Sequence, residues 1–409
     1  MTTIGTIDSS TGTRRHTALV DQYSARNYAP LPVVISKGEG CWVEDVDGKR
    51  YLDMLSAYSA LNFGHSHPEI VEAFVEQARK LTLTSRAFQN DQFGPFCQEI
   101  TELCGQDLVL PMNTGAEAVE TALKTARKWG YKVKGVAEDK AEIICMTGNF
   151  HGRTISIVSF SDDEQFRDGF GPFTPGFPLV EYGKAAALEQ AINPNTVGVL
   201  IEPIQGEGGI VVPPDGYLKR VRELCTQNNV LFIADEIQTG LARTGKVFAV
   251  EHEGVKPDVL ILGKALGGGV MPVSAVLASK EILGVFNPGD HGSTFGGNPL
   301  GCAVARVAMK ILTRDKLAER SAEVGGAFIQ RLRGIDAKII KEVRGKGLLI
   351  GVELHPEAGG AKKYCKLLKE KGLLCKETVE NVLRIAPPLT IEQKDLDWAY
   401  ERIARVLGA

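Results

Sequence analysis

Between about residues 100 and 280 the chain alternates short apolar runs with amphipathic segments, and this alternation limits its possible folds more than any other feature. The apolar runs are Glu142–Met146, Ile155–Phe160, Val197–Ile201, Val230–Ala234 and Val259–Leu262, and a helical pattern such as Tyr217–Asn228 lies between two of them. Strands that are apolar throughout are typical of sheets covered by helices on both faces, and helical crossovers make neighbouring strands parallel. The sequence therefore predicts an α/β fold with a mostly parallel sheet.

The two ends of the chain follow a different pattern. Near the N-terminus, Asp47-Gly48 separates two strand-like runs, which indicates a β-hairpin. A long helix is expected after Pro299, followed by further helices, a glycine-rich strand start at Arg344–Val352 and an ending from Leu383 that suits an α+β unit. We therefore expect a large domain of residues 59–315 and a smaller α+β domain of residues 316–409, against which an N-terminal segment of residues 1–58 packs.

Composition and charge exclude several classes of function. The 409 residues, 44% hydrophobic and 24% charged, can bury a large core, unlike a disordered or fibrous chain. The 47 Lys and Arg against 50 Asp and Glu give a net charge of −3 without long runs of one sign, which favours neither nucleic acid nor an anionic membrane. Chemistry on small molecules is therefore expected.

The cysteines and the apolar stretches predict a location in the cytoplasm. The eight cysteines show no Cys-x-x-Cys spacing and indicate free thiols in a reducing compartment, and the N-terminus lacks the pattern of a signal peptide. The stretch 259–279 is long enough to cross a bilayer, but its glycines and Pro272 favour a strand and loop in a folded core. No membrane segment is therefore expected.

Polar residues follow three of the apolar runs. Glu202 ends the first, Asp235 and Glu236 end the second, and Lys264 follows the third. Parallel sheets bind ligands at the carboxyl ends of their strands, so these side chains are expected at one edge. A lone lysine usually reaches solvent and a lone Asp often caps a helix. Together, however, a lysine for an aldehyde and an acid for a ring nitrogen fit pyridoxal phosphate.

A phosphate cradle for such a cofactor is available at residues 113–117. Thr114 and Glu117 have the spacing of a capping box, and Gly115 allows backbone N–H groups at a helix start to approach a phosphate. The other glycine-rich segments match neither the dinucleotide fingerprint nor a P-loop. His65 and His67 have no third ligand in view, so no metal is expected. Phe150 and His151 could stack on a flat ring, and Arg153 and Arg384 could bind carboxylates, although each has a commoner structural interpretation.

At this point six motifs can be compared with a known family. They begin at Asn113 (NTGAEA), Gly148 (GNFHGRT), Glu202 (EPIQGE), Asp235 (DEIQTGLARTG), Leu262 (LGKALGGG) and His291 (HGSTFGGNP). Together they resemble the class III aminotransferases, which have fold type I and use pyridoxal phosphate. The resemblance extends from about Tyr23 to the C-terminus, and it is strongest to the ornithine-specific members of the family.

The resemblance implies a role for individual residues of the cofactor site. Lys264 would bind the cofactor aldehyde and move a proton, and Asp235 would pair with the ring nitrogen. The other implied cofactor-binding residues are Gln238 at the ring hydroxyl, Phe150 against the ring, Gly115 and Ala116 at the phosphate, Thr294 from a neighbouring subunit, and His151, Glu202 and Ile237. A homodimer with shared active sites is thus implied, and a higher oligomer is left open.

The resemblance also implies an activity of ornithine, arginine and proline metabolism, namely transfer of the δ-amino group of L-ornithine to 2-oxoglutarate, which yields glutamate 5-semialdehyde and glutamate. Tyr28, Tyr58 and Arg153 would bind the α end of ornithine, Arg384 would bind the α-carboxylate of glutamate, and Glu207 would pair with Arg384 during the ornithine half-reaction. Acetylornithine and 4-aminobutyrate are alternative substrates. A cofactor-binding protein without activity is a further alternative.

Overall fold

The computed structural model describes residues 12–408. Residues 1–11 of the expected N-terminal segment, and residue 409, lie outside this range. Within it, no helix is long and apolar enough to cross a membrane, and the stretch 259–279 forms two strands joined by a loop.

The strands of the described chain form three sheets. In chain order they are β1 Ile35–Glu39, β2 Trp42–Asp45, β3 Arg50–Asp53, β4 Leu108–Met112, β5 Glu142–Met146, β6 Leu179–Val180, β7 Thr196–Ile201, β8 Leu231–Asp235, β9 Val259–Leu262, β10 Ser274–Ala278, β11 Ile340–Lys346, β12 Leu349–Leu354, β13 Leu373–Leu374, β14 Lys376–Thr378 and β15 Val382–Ile385.

The central sheet has the strand order β4-β10-β9-β8-β7-β5-β6. Strands β9, β8, β7, β5 and β6 pair in parallel, whereas β10 is antiparallel to both of its neighbours. Every residue of β7, β8 and β9 is buried, as expected for strands covered on both faces. The predicted α/β fold with a mostly parallel sheet is confirmed.

Helices cover this sheet and build the rest of the molecule. The longer ones are Gly12–Tyr23, Pro68–Lys80, Phe93–Cys104, Gly115–Trp129, Tyr217–Gln227, Pro299–Arg314, Leu317–Arg333, Ala361–Glu370 and Gln393–Leu407, and short ones span Ile155–Val158, Glu164–Arg167, Ala185–Ala191 and Lys280–Leu283. Two separate apolar clusters pack on the sheet, which shows that both faces are covered.

One predicted strand was wrong, and another was incomplete. The apolar run from Ile155 is a short helix, because the Thr154 hydroxyl accepts the N–H of Ile157 and starts a helical turn. The run from Arg344 is a hairpin rather than a single strand start, since Gly347 adopts a φ of 56° between β11 and β12. A run of apolar or glycine residues does not reveal by itself where the chain turns.

A smaller sheet joins the two ends of the chain. The predicted hairpin at Asp47-Gly48 is confirmed, with β2 antiparallel to β3. On the other side, β3 pairs in parallel with β13, which comes more than 300 residues later. The fully buried Arg243 adds a second link, since its guanidinium donates to the carbonyls of Leu348 and Pro387 and to Asn62 Oδ1. The eight cysteines are free thiols, as predicted.

Candidate active site

Three adjacent strands deliver the predicted acids and lysine to one cavity. Glu202 follows β7, Asp235 ends β8, and Lys264 comes two residues after β9. Because β7, β8 and β9 are parallel neighbours, their carboxyl ends meet at the same edge. The cavity at this edge has a volume of about 210 Å³, and it is lined by Gly115, Ala116, Phe150, His151, Gly152, Glu202, Asp235, Ile237, Gln238, Thr239 and Lys264.

Lys264 stands at a strained turn in this cavity. Its φ of 42° is in the left-handed region, and it begins a 3₁₀ turn after the extended Gly263. Burial lowers the pKa of the Lys264 ammonium, and the nearby carboxylates of Glu207 and Asp235 oppose this effect. A lowered pKa makes the neutral amine, which is the nucleophilic form, easier to reach near neutral pH.

Asp235 is fixed by a buried histidine and a backbone amide. Its Oδ2 lies 2.6 Å from His151 Nδ1, and its Oδ1 accepts the N–H of Ile237 at 3.0 Å. The side chain of His151 is fully buried, and its Nε2 has no partner. Burial alone would lower the pKa of His151, but the hydrogen bond and charge of Asp235 outweigh burial and raise it. The carboxylate is thus held in one orientation at the cavity wall.

Glu202 orders the backbone around the cavity. Its two carboxylate oxygens accept the N–H groups of Phe150 and Gly206, at 3.0 and 3.2 Å. Burial raises the pKa of Glu202 to about 7. Glu202 therefore ties the loop that carries Phe150, His151 and Arg153 to the glycine-rich loop that carries Glu207.

The helix Gly115–Trp129 points its N-terminus at this cavity. The predicted capping box is confirmed: Thr114 Oγ1 accepts the N–H of Glu117, and the Glu117 carboxylate accepts the N–H of Thr114. A Cβ at position 115 would lie 3.1 Å from the side chain of Ile237, so glycine allows these segments to approach closely. The first turn of a helix with exposed N–H groups favours an anion such as a phosphate.

A larger cleft of about 1120 Å³ adjoins the cavity at Phe150, which lines both. The predicted substrate residues Tyr28, Tyr58, Arg153 and Glu207 line this cleft. Arg384, on β15, is buried behind them with 1% of its surface exposed. Its Nη1 and Nη2 donate to Oε1 and Oε2 of Glu207 at 2.5 and 2.6 Å, and its Nε has no partner. The predicted pair of Glu207 with Arg384 is thus present.

Glu207 connects the cleft with the cavity. Burial alone would raise the pKa of Glu207, but the hydrogen bonds and charge of Arg384 lower it. Gln238 Nε2 donates to Glu207 Oε1 at 3.2 Å, whereas Gln238 Oε1 is buried and has no hydrogen-bond partner among the described residues. The Glu207 carboxylate therefore contacts both the guanidinium of Arg384 and the side-chain amide of Gln238.

Arg153 differs from Arg384 in its ion pairing. Within residues 12–408 no carboxylate pairs with it; its guanidinium carbon lies 4.4 Å from the ring centroid of Phe166 and 5.8 Å from that of Phe150. Aromatic faces attract and orient a guanidinium without neutralising it. The charged guanidinium of Arg153 is therefore oriented by the two rings and available to bind an anion.

Tyr58 is carried by an unusual backbone turn. Ser56, Ala57, Tyr58 and Ser59 have φ values of 52°, 47°, 59° and 72°, a left-handed helical turn that costs roughly 1–2 kcal/mol per residue. The guanidinium carbon of Arg384 lies 4.9 Å from the centre of the Tyr58 ring. The surrounding structure must stabilise this turn.

Some site residues were not predicted, and one predicted residue is absent from the cavity. No motif indicates Phe166 or the hydrogen-bonded pair of Asp53 with His65, and these three residues also line the cleft. Thr294 is exposed and lies outside the cavity that its own chain forms. A resemblance in sequence gives residue types, but it does not show which neighbours support them.

Comparison with known proteins identifies the family. The model of the aminotransferase class-III family matches residues 23–407. The ornithine aminotransferase of Geobacillus sp. (strain WCH70) is 60% identical over 390 residues, which cover 95% of this chain and 97% of that protein.

Two solved structures show the same fold. An ornithine aminotransferase from Toxoplasma gondii, with partial occupancy of PLP at its active site, superposes with a TM-score of 0.96 at 48% identity, over 98% of this chain and 95% of that one. An acetylornithine aminotransferase from Elizabethkingia anophelis superposes with a TM-score of 0.89 at 49% identity, over 97% and 99%. The predicted fold type I is therefore confirmed, and the chain belongs to the class III aminotransferase family.

Proposed function

We propose that this protein is an ornithine δ-aminotransferase, which transfers the δ-amino group of L-ornithine to 2-oxoglutarate and yields glutamate 5-semialdehyde and glutamate. The observation that carries the proposal is the contrast between Arg153, which lines the cleft, and Arg384, which is buried behind it: Arg384 is paired with Glu207, while within residues 12–408 no carboxylate pairs with Arg153. The 60% identical relative that bears the name ornithine aminotransferase supports the same substrate.

The cavity fits pyridoxal phosphate, the cofactor of this family. It combines an acid fixed by His151, a lysine whose pKa is lowered, and a helix N-terminus, and Gln238 Oε1 is an unpartnered buried acceptor for a ring hydroxyl. When bound, pyridoxal phosphate supplies an aldehyde for the amino group and a cationic ring that withdraws electrons from the substrate carbon. We assign Gly115 and Ala116 to the phosphate and Phe150 to the ring face.

Two side chains provide the proton chemistry. Asp235 would favour a protonated ring nitrogen when the cofactor is bound, since a fixed, buried carboxylate favours the cationic form of a partner. Lys264 would hold the cofactor through its amine, and the same Nζ would be the base and acid for the proton at the substrate carbon. His151 and the N–H of Ile237 hold Asp235 in place during both steps.

Each half-reaction uses the arginines differently. With ornithine, Arg153 and Tyr28 bind the α-carboxylate and α-amino group, so that the δ-amine reaches the cavity. Glu207 neutralises Arg384 at that stage and prevents it from drawing the α-carboxylate inward. With glutamate or 2-oxoglutarate, Arg384 leaves Glu207 and binds the α-carboxylate, while Arg153 binds the distal carboxylate.

A substrate panel tests this proposal. The purified holoenzyme is assayed against 2-oxoglutarate with ornithine, acetylornithine, 4-aminobutyrate and lysine, and Lys264→Ala serves as the inactive control. We expect the highest kcat/KM with ornithine. The acetylornithine alternative has a structural neighbour of that name at 49% identity, and a higher kcat/KM with acetylornithine would overturn the proposal.

We also propose the surroundings in which the enzyme works. The protein acts in the cytoplasm as a homodimer whose partner subunit supplies Thr294 to the phosphate, in line with the exposure of Thr294 and its absence from the lining of the cavity in its own chain. Residues 59–315 form the cofactor domain, and residues 1–58 pack with a small domain of residues 316–409. Thr294→Ala should weaken phosphate retention, and size-exclusion chromatography with light scattering reports the oligomeric state.

A further inference from the structure

The left-handed turn that carries Tyr58 needs support from outside itself. Four consecutive residues with side chains, Ser56–Ser59, have positive φ values, a conformation that L-residues rarely adopt in succession. Inside the turn, the N–H of Tyr58 donates to the carbonyl of Leu55 at 3.1 Å, and the N–H of Ala60 donates to Ser56 at 3.0 Å. Hydrogen bonds of this kind also form in a right-handed helical turn. They therefore do not favour the left-handed conformation over the right-handed one.

Asp53 provides the external support. Its Oδ1 accepts the N–H groups of Leu55 and Ser56, at 2.8 and 3.0 Å, directly before the turn. Its Oδ2 lies 2.8 Å from Nε2 of His65. One carboxylate oxygen thus fixes the entry to the turn, while the other is fixed by the histidine.

His65 is itself held on two sides. Its N–H and carbonyl form a reciprocal pair of hydrogen bonds with Gly40, at 2.7 and 3.0 Å. Its ring packs on Gly38 of β1, where a Cβ would lie 2.8 Å from ring atoms. The imidazole therefore has little room to rotate or shift, and its place beside β1 fixes the position of the Asp53 carboxylate.

The left-handed turn Ser56–Ser59 places the Tyr58 ring against Arg384. The guanidinium carbon of Arg384 lies 4.9 Å from the Tyr58 ring centre, and Tyr58, His65 and Asp53 all line the same cleft. When Arg384 leaves Glu207 for a substrate carboxylate, the aromatic face is the contact that limits where the guanidinium can move.

We propose that Asp53 and His65 are positioning residues for substrate selection: their hydrogen-bonded pair holds the left-handed turn, and the turn holds Tyr58 against Arg384. This inference rests on the proposed function, since it assumes that Arg384 binds a substrate carboxylate. The ordinary alternative is that Asp53 only stabilises a loop, in which case its loss affects the whole protein and not Tyr58 in particular.

A double-mutant cycle on the holoenzyme separates these possibilities. His65→Phe keeps a flat ring on Gly38 but removes the hydrogen bond, Tyr58→Ala removes the ring that the turn presents, and the double variant combines them. We expect His65→Phe to lower kcat/KM about tenfold for glutamate, mainly through KM, and less than threefold for ornithine, because Arg384 binds a substrate carboxylate only in the glutamate half-reaction. In the Tyr58→Ala background the same change should cost less than twofold, because the two changes act through one contact.

Three further measurements complete the test. His65→Gln, whose amide nitrogen can donate to Asp53, should stay within threefold of wild type. If the His65→Phe protein does not fold, His65→Ala replaces it in the double-mutant cycle. Hydrogen exchange of the peptide spanning residues 54–61, measured without substrate, should accelerate at least fivefold in His65→Phe, which lacks the hydrogen bond to Asp53. It should not accelerate in His65→Gln.

Other outcomes overturn the inference. A tenfold loss that persists in the Tyr58→Ala background, a loss confined to kcat, or unchanged exchange of residues 54–61 would each show that His65 does not act through Tyr58. Failure of the proposed function has a different signature, since it appears in the wild-type substrate panel, whereas the exchange measurement does not depend on any substrate.

Discussion

Glu207 and Arg384 form a two-point ion pair, in which Nη1 and Nη2 of the arginine face both carboxylate oxygens at 2.5 and 2.6 Å. Arg384 is 1% exposed, so solvent screens this pair poorly. Arg153, which lines the adjoining cleft, lies against two aromatic rings and forms no ion pair with any described carboxylate. One arginine is therefore neutralised and the other is available, which suits a substrate with one carboxylate at its α end.

Glu207→Ala should weaken the selection of the δ-amine of ornithine. Removing one partner of a desolvated ion pair typically costs about 2–5 kcal/mol, and here it leaves Arg384 free for any α-carboxylate. We expect faster reaction with glutamate and α-amine transfer from ornithine. Single-turnover kinetics with each amino donor measure this, with Glu207→Gln as the matched variant of similar size. An unchanged ratio of the two half-reaction rates would exclude Glu207 from the mechanism.

Lys264→Ala should abolish turnover, since binding of the aldehyde and proton transfer depend on the same amine. The wild-type protein should be yellow, and borohydride should fix the cofactor to Lys264. Peptide mass spectrometry locates the reduced adduct. An adduct on any other lysine contradicts the assignment.

Asp235→Ala should nearly abolish turnover, because without this carboxylate the ring nitrogen loses its proton and withdraws electrons poorly. His151 would also lose its buried partner, which lies 2.6 Å away in the wild-type protein. Steady-state rates and the absorbance spectrum of the bound cofactor test this. Near-normal activity would point to another acid, with Glu202 as the first candidate because it lines the same cavity.

Phe166→Leu should weaken binding at Arg153 without changing its charge. The ring centroid lies 4.4 Å from the guanidinium carbon, and such contacts are worth roughly 0.5–2 kcal/mol. We expect a several-fold rise in KM for ornithine with kcat little changed. Phe173→Leu is the matched control, since Phe173 contacts Arg167 rather than Arg153. Equal effects of the two substitutions would argue against a specific role of Phe166.

Glu236→Gln should flatten the dependence of stability on pH. Burial raises the pKa of Glu236 from 4.5 to about 7, so the folded protein holds a proton that the unfolded chain releases. Stability from this group is then complete below pH 4.5 and is lost as the pH rises to 7, by about 3 kcal/mol.

The amide suits this site, because Thr239 can bond to its nitrogen and the N–H of Val250 to its oxygen. Denaturant midpoints measured between pH 5 and 7.5 report the slope in both proteins. A slope as steep in the variant as in wild type would show that Glu236 is ionised throughout this range.

The sequence was sufficient for the elements that obey local rules. Strand ends follow from apolar runs, and the start of the helix at Gly115 follows from the spacing of Thr114 and Glu117, because a capping box involves only neighbouring residues. The strand predicted from Ile155 failed for the same reason, since a Thr just before an apolar run is also a local helix signal.

What could not be predicted depends on contacts between distant segments. The left-handed turn at Ser56–Ser59 has no glycine or asparagine to indicate it, and Asp53 and His65 support it from the preceding and following segments. The contact of His151 with Asp235 joins a loop to the end of β8, 84 residues further along the chain. Family motifs can name such residues, but only the folded chain shows which side chain holds which.

The parallel pairing of β3 with β13 has a consequence for biosynthesis. Residues 52–53 cannot complete their sheet until residues 373–374 have been translated, which at about 5–20 residues per second takes tens of seconds. During that interval β3 presents an unpaired edge, because β13 is its second neighbour in the sheet. The sheet that carries Asp53 at the cleft is thus completed only late in translation, and until then its open edge is a place where nascent chains can pair with one another and aggregate.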